Sequence, residues 1–123
     1  MGKEGFRDLQ VWRKAKDLAI YIYKVTNKGD ICKDFGLRDQ VRRAAISVAS
    51  NIAEGDERDT NRESVRFLYI AKGSLAELLT QIIISREIDY IADEEFKYVV
   101  SESEAIGKML GKLIKVRSKA YNL

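Results

Sequence analysis

Residues 42–55 read RRAAISVASNIAEG, and the fold follows from this stretch. With Val41 just before it, Ala45, Val48 and Ile52 recur at steps of three and four residues, the spacing of one helical face. Ala44, Ala45, Ser47, Ala49 and Ser50 are small enough to let a neighbouring helix approach closely. Arg42 and Arg43 stand at the entrance. Asn51 and Glu54 sit near the far end as structural polar residues, Asn51 bonding nearby backbone or side chains and Glu54 pairing with an arginine. Gly55 reads as the stop.

The same periodicity extends in both directions. Upstream, Val11, Ala15, Leu18, Ile22 and Val25 form a coiled-coil-like seam widened by Trp12 and Ala19, with Asp8 as N-cap and Asn27-Lys28-Gly29-Asp30 as turn. A polar connector containing Cys32 and Gly36 leads to the second helix, near residues 37–54. Downstream, Thr60 with Glu63 forms a capping box, and a third helix carries Leu68, Ala71, Leu75, Leu78 and Ile82 on its core line. Leu78 to Ile84 could be a strand on aliphatic content alone, but the core line passes through it and makes it helical. Asp93 reads as the N-cap of a fourth helix with Ile106, Met109, Leu113, Val116 and Ala120 in line.

These four segments, near residues 8–27, 37–54, 61–87 and 94–120, have short connections that favour antiparallel neighbours. The expected fold is all-α, an antiparallel up-down-up-down four-helix bundle, in a single domain over residues 1–123. A chain of 123 residues buries a sufficient core without disulfides or metals. The lack of proline leaves every helix uninterrupted.

Composition narrows the function. The sequence has no histidine, hence no ordinary general base near neutral pH, and a single cysteine, Cys32, which reads as an inert free thiol. The expectation is a non-enzymatic protein with no catalytic residue, no metal and no cofactor. No signal peptide opens the chain, and the Ile82-Ile83-Ile84 cluster is far shorter than a membrane span, so a soluble cytoplasmic protein without a membrane partner is expected.

Lys and Arg number 22 against 19 Asp and Glu, a net charge of +3, so attraction to nucleic acid must come from local clustering. Three clusters qualify: Arg42 with Arg43; Arg58, Arg62 and Arg66, stepping by four; and Lys108, Lys112, Lys115 and Lys119 on one helical face, with no acid between 108 and 119. The competing reading is solvated helix faces with local pairs, Asp39 to Arg43 and Glu63 to Arg66, and lysines suited to a helix C-terminus.

Apolar residues off the core lines point to an oligomer interface: Phe67, Ile70, Leu79, Ile83 and Ile84 on the third helix, with Trp12, Tyr21 and Tyr23 on the first. The alternative is a wide internal face. Gly73-Ser74 in mid-helix, and Gly107 with Gly111, suggest close helix packing, since Gly costs about 1 kcal/mol against Ala there.

The motifs Asp8-Leu9, Val11-Trp12, Lys14-Ala15, Gln40 to Ala45, Ser50 to Gly55, Arg66-Phe67-Leu68, Ile70-Ala71, Gly73-Ser74, Glu77-Leu78, Lys108-Met109-Leu110 and Leu113-Ile114 occur in register. Over Phe6 to about Val116 the chain resembles the four-helix-bundle proteins encoded by intervening sequences in bacterial 23S rRNA genes. That family is related to the accessory variability determinant of diversity-generating retroelements. The resemblance implies a homopentameric, barrel-like ring and an association with nucleic acid, and designates no catalytic residue. Two positions depart from the pattern: Asn27-Lys28-Gly29 replaces a Phe-Pro turn, and Leu79 stands where an acid is typical.

Two functions follow as expectations. One is an oligomer, pentamer favoured, that binds RNA or DNA, with RNA preferred, through basic faces gathered in a ring. The other is a protein-interaction scaffold with no direct nucleic-acid role.

Overall fold

Uninterrupted amphipathic periodicity gives an all-α structure. The computed structural model describes residues 5–121, in which a 3-10 turn, Gly5–Asp8, precedes α1 (Gln10–Val25), α2 (Gly29–Lys33), α3 (Phe35–Asp56), α4 (Asn61–Glu87) and α5 (Asp93–Tyr121). No strand occurs among the described residues. The aliphatic run before residue 85 is helical, as its period requires.

The helix ends differ from the sequence expectations in instructive ways. Asp8 does not cap α1; the 3-10 turn places Leu9 at that position, while Asp8 pairs with Arg13 at 3.5 Å. At the other end the Thr26 hydroxyl donates to the Ile22 carbonyl at 2.7 Å, and Gly29 turns the chain at φ 69°. The connector holds a helical turn, α2, whose Ile31 is fully buried. Asp34 caps α3 by accepting from the Leu37 amide at 3.1 Å, so the helix begins two residues earlier than expected.

Gly55 is not a stop. Helix α3 runs through it to Asp56, and the glycine is buried against the first turns of α4. Thr60 caps α4 as expected, accepting from the Glu63 amide at 3.2 Å. Asp89, with φ 62°, closes the C-terminus of α4 while the Tyr90 amide donates back to the Ser85 carbonyl at 2.8 Å. For α5 the residue before the helix is Ala92, whose amide donates to Glu95 Oε1 at 2.9 Å; Asp93 is the first helical residue instead of the cap.

Every core-line residue assigned to α1, α3 and α4 is buried. The line assigned to α5 is not the one that packs. Val99, Ser103, Ile106, Leu110 and Ile114 face the core, whereas Val116 is 66% exposed and Met109 and Leu113 flank the core.

Helix α1 packs against α3 and α5, and α4 packs against α3 and α5. Cross-links record the pairing: Lys14 to Glu102 at 3.1 Å and Tyr21 against Tyr98 at 4.3 Å for α1 and α5; Arg42 to Thr26 at 2.8 Å for α3 and the end of α1. Ser47 meets Ser74 at 2.8 Å between α3 and α4, and Arg117 of α5 bonds both Ser64 of α4 and Asp56 of α3.

Candidate nucleic-acid interface

The basic candidates separate to two ends of α3. Arg42 and Arg43 lie where α1 finishes; Arg58, Arg62 and Arg66 lie around the α3–α4 turn, which Arg117 reaches from the last third of α5. A helical rise of 1.5 Å per residue puts about 21 Å between Arg42 and Asp56.

Arg42 is the most constrained. Its Nε donates to Thr26 Oγ1 at 2.8 Å, and its guanidinium lies 4.5 Å from the Tyr23 ring centroid. Thr26 is fully buried and is itself fixed on the Ile22 carbonyl, so the arginine is held from below. Arg43 is exposed and makes no ion pair among the described residues. The expected pair with Asp39 does not form because Asp39 instead takes Arg38 Nε at 3.0 Å, one residue away. Arg38 also donates to the Cys32 carbonyl at 3.2 Å and covers the Phe35 ring at 4.8 Å.

At the other end Arg58 lies 3.8 Å from Glu54 and stacks on Phe67 at 4.3 Å. Arg62 and Arg66 are exposed without ion pairs among the described residues, and Glu63 does not engage Arg66. Lys108, Lys112, Lys115 and Lys119 are all exposed and also unpaired among the described residues. They form a line about 16 Å long on one face of α5.

Asn51 and Glu54 both have partners on α3 or just beyond it. Asn51 donates to the Ser47 carbonyl at 2.9 Å and Ser47 Oγ at 3.0 Å, extending the Ser47–Ser74 bridge, and Glu54 faces Arg58.

The apolar candidates divide. Trp12 is half-buried edge-on to Phe6, Tyr21 packs on Tyr98, and Phe67 lies under Arg58 beside Gly55, so each has a ring contact within the chain. Burial, aided by the charge of Glu95, raises the Tyr21 hydroxyl above the ordinary tyrosine range. Leu79 is half-buried, whereas Ile70 and Ile83 are exposed together with Tyr69 and Ile84 on the outer face of α4. A methyl added to Gly73 of α4 would meet nothing within 4 Å, and one added to Gly111 likewise, so close packing within the chain does not explain either glycine. By length and composition alone α4 could cross a membrane, with a third of its most apolar window buried. A separate apolar groove of about 490 Å³ runs between α1 and α3, walled by Trp12, Ile20, Tyr23, Ile46 and Ala53.

Among the described residues no group of His, Cys, Asp and Glu is placed to hold a metal ion. Sequence reasoning does not single out Arg38, Phe35 or Arg117; the only signal for Arg38 is its position four residues before Arg42 on the same helix.

The family model described as 23S rRNA-intervening sequence protein matches residues 7–112. The chain belongs to the 23S rRNA-intervening sequence protein family. A crystal structure from Bacteroides thetaiotaomicron, described as a protein with unknown function from the S23 ribosomal protein family, is similar at a TM-score of 0.78 and 25% identity, covering 85% of this chain and 98% of that one. No curated protein matches the chain. The segment shared with the 23S rRNA-intervening sequence family includes all five candidate arginines, Lys108 and Lys112, and ends before Lys115 and Lys119.

Proposed function

We propose that this member of the family is a non-enzymatic, oligomeric nucleic-acid-binding protein of the cytoplasm, with RNA the favoured ligand. The observation that carries the reading is unneutralised positive charge. In a chain with a net charge of only +3, the four α5 lysines and Arg43, Arg62 and Arg66 are exposed with no carboxylate partner among the described residues. Phosphates are the ligands that such faces take, with release of counterions.

The architecture proposed beneath this function is an antiparallel up-down-up-down bundle of α1, α3, α4 and α5. Its support is the order of the cross-links: Lys14 with Glu102 and Lys28 with Glu95, Ser47 with Ser74 and Asp56 near Ser64 through Arg117. In each pair the numbers rise along one helix and fall along the other.

The oligomer rests on the exposed apolar outer face of α4, carried by Tyr69, Ile70, Ile83 and Ile84. A ring is built from a head-to-tail contact whose rotation closes on itself. Five copies is the number that the family resemblance implies. A copy seated on α4 would also account for Gly73 and for the helix's apolar composition without a membrane.

Binding of a structured RNA measured across a salt series tests the function. The expected result is affinity at low salt that falls steeply with salt, and a shallower slope for Lys108→Glu with Lys115→Glu. No affinity at low salt, or affinity indifferent to these reversals, would sink it. The exposed α4 face supports a second reading, a protein-interaction scaffold; capture of a protein from nuclease-treated lysate by a chain that binds no RNA would favour it.

A further inference from the structure

The two Arg-over-aromatic pairs at the start of α3 form a unit that the charge argument leaves unused. Arg38 and Arg42 are four residues apart on one helix, which brings them side by side, about 6 Å apart at their Cβ atoms. Each guanidinium lies within 5 Å of a ring centroid: Arg42 on Tyr23, Arg38 on Phe35. Both rings are open to solvent, Phe35 at 65% exposure and Tyr23 at 42%.

Both arginines are held before any ligand arrives. Arg42 is tied by Nε to buried Thr26, and Arg38 by its bonds to the Cys32 carbonyl and Asp39. The terminal nitrogens of Arg42 bond no other described residue. On either side of the Arg42–Tyr23 stack lies a shallow depression. One, of about 270 Å³, is walled by Asp39, Arg43 and Ile46; the other, of about 380 Å³, by Ile20, Lys24 and Asn27. The walls of the two depressions carry Arg42, Arg43 and Lys24 against one carboxylate, Asp39, which Arg38 already engages.

Simple phosphate binding does not need this arrangement. A phosphate-only surface is served by mobile ammonium groups such as the α5 lysines, whereas planar groups fixed in stacked pairs suit the flat faces of unpaired bases. We propose that this end of the molecule binds unpaired nucleotides of RNA, whose bases stack at the Arg42–Tyr23 and Arg38–Phe35 pairs while Arg43 and Lys24 take the flanking phosphates. The inference rests on the nucleic-acid reading above and names the part of an RNA that this site recognises. Duplex RNA, with its bases stacked on each other, has no free face to offer here and is left to the lysine face of α5.

The test compares an unstructured single-stranded RNA of about 12 nucleotides with the same sequence as a blunt duplex, by fluorescence anisotropy at low salt. Wild type is expected to bind the single strand about tenfold more tightly than the duplex or better. Tyr23→Leu with Phe35→Leu, which keeps apolar volume and removes both rings, should lose single-strand affinity by about tenfold or more and leave duplex affinity within about twofold. Arg42→Lys keeps the charge and removes the plane; it should lose the single-strand preference with the salt slope unchanged, and it carries the test if the double variant does not fold. Competition distinguishes the ligand source: a short single-stranded oligonucleotide should displace the probe, and inorganic phosphate at the same phosphate concentration should not.

Equal binding of single strand and duplex, unchanged affinity in the ring and Arg42 variants, or equal displacement by inorganic phosphate overturns this proposal and leaves the nucleic-acid reading standing. Failure of wild type to bind either RNA overturns both.

Discussion

Replacing Gly55 by Ala tests how closely α3 and α4 approach. A methyl built on Gly55 would lie 3.1 Å from the Ser64 carbonyl oxygen, 3.2 Å from Phe67 Cβ and 3.7 Å from Leu68 Cδ2. The first two contacts are tighter than a methyl normally accepts, and the first is to backbone, which has no rotamer to yield. Relief requires the start of α4 to move outward. That movement also strains Arg117, which spans Ser64 and Asp56 and sits 2.7 Å from the Asp56 carboxylate.

Two effects oppose each other. Gly to Ala in a helix stabilises by about 1 kcal/mol through propensity alone. Overpacking costs about 1–3 kcal/mol. Gly111→Ala supplies the reference, because Gly111 is also inside a helix and a methyl there meets nothing within 4 Å. Gly111→Ala should raise stability by about 1 kcal/mol, and Gly55→Ala should be neutral or lower it by up to about 2 kcal/mol. The difference, about 1–3 kcal/mol, isolates the packing cost from propensity. Urea unfolding of both variants, fitted with a common slope, measures it. If Gly55→Ala stabilises as much as Gly111→Ala, the close approach is not real and the α3–α4 contact has room that these distances deny.

Gly73→Arg places a bulky charge in the middle of α4; native mass should shift from oligomer toward monomer with helical content unchanged, and an unaltered mass would remove α4 from the proposed interface. Arg117→Met leaves Asp56 without its partner in a site where both side chains are more than four-fifths covered, so unfolding free energy should drop by about 2–3 kcal/mol; a loss under about 0.5 kcal/mol would mean that water replaces the guanidinium. The Tyr90 hydroxyl donates to Asp34 at 3.2 Å, and that bond, with burial, raises it above the ordinary tyrosine value of 10.0. An acid raised on folding stabilises the fold fully below its unfolded pKa and loses that contribution as pH climbs through its folded one, so melting temperature should fall as pH climbs past the ordinary tyrosine value of 10.0, less steeply in Tyr90→Phe. Identical slopes for the two proteins would show that the bond does not persist in solution.

The seams of α1 and α4 are legible in the sequence because steps of three and four join Val11, Ala15, Leu18, Ile22 and Val25, and Leu68, Ala71, Leu75, Leu78 and Ile82, and each of those positions is buried. Helix α5 misleads for a specific reason. Ser103 is a buried core position, and a polar residue there hides the line through Val99, Ser103, Ile106, Leu110 and Ile114. The rival line through Met109, Leu113 and Val116 shares Ile106 and looks continuous, yet it lies at the flank beside Leu9 and Val11. Ile31 gives no signal because one apolar residue in a polar connector has no period. Gly55 imitates a stop because composition does not distinguish a glycine that ends a helix from one that admits a neighbour. At the candidate site, Arg42 and Arg43 are visible in the sequence. The stacks of Arg38 and Arg42 on their rings are not, since Tyr23 reaches Arg42 from a different helix and Phe35 precedes the helix start that the sequence suggests.

The lysines of α5 raise the question whether the helix dipole already explains them. Its effect falls off within the last turn. Helix α5 ends at Tyr121, so Lys119 lies in that turn, while Lys108 and Lys112 stand roughly three and a half and two and a half turns away at 3.6 residues per turn. The dipole therefore accounts for one lysine and leaves the others. Intramolecular pairing does not account for them either. In the first half of α5 three of the five acids are paired within the chain, Glu95 with Lys28, Glu102 with Lys14, and Asp93 with Lys97 and Arg86, and the Asp93 carboxyl is held below the usual range chiefly by its bond to Lys97, while Glu94 and Glu104 are exposed. The second half has no acid of its own to offer, and of its cations Arg117 alone reaches a carboxylate among the described residues, that of Asp56. One helix thus carries two kinds of surface, an end whose charges hold the fold together and an end whose charges are left to solvent or to a ligand. An anion approaching this face meets no carboxylate between residues 108 and 119, and that one-sided arrangement, rather than the net charge of the chain, is the reason for proposing phosphate as the partner of α5.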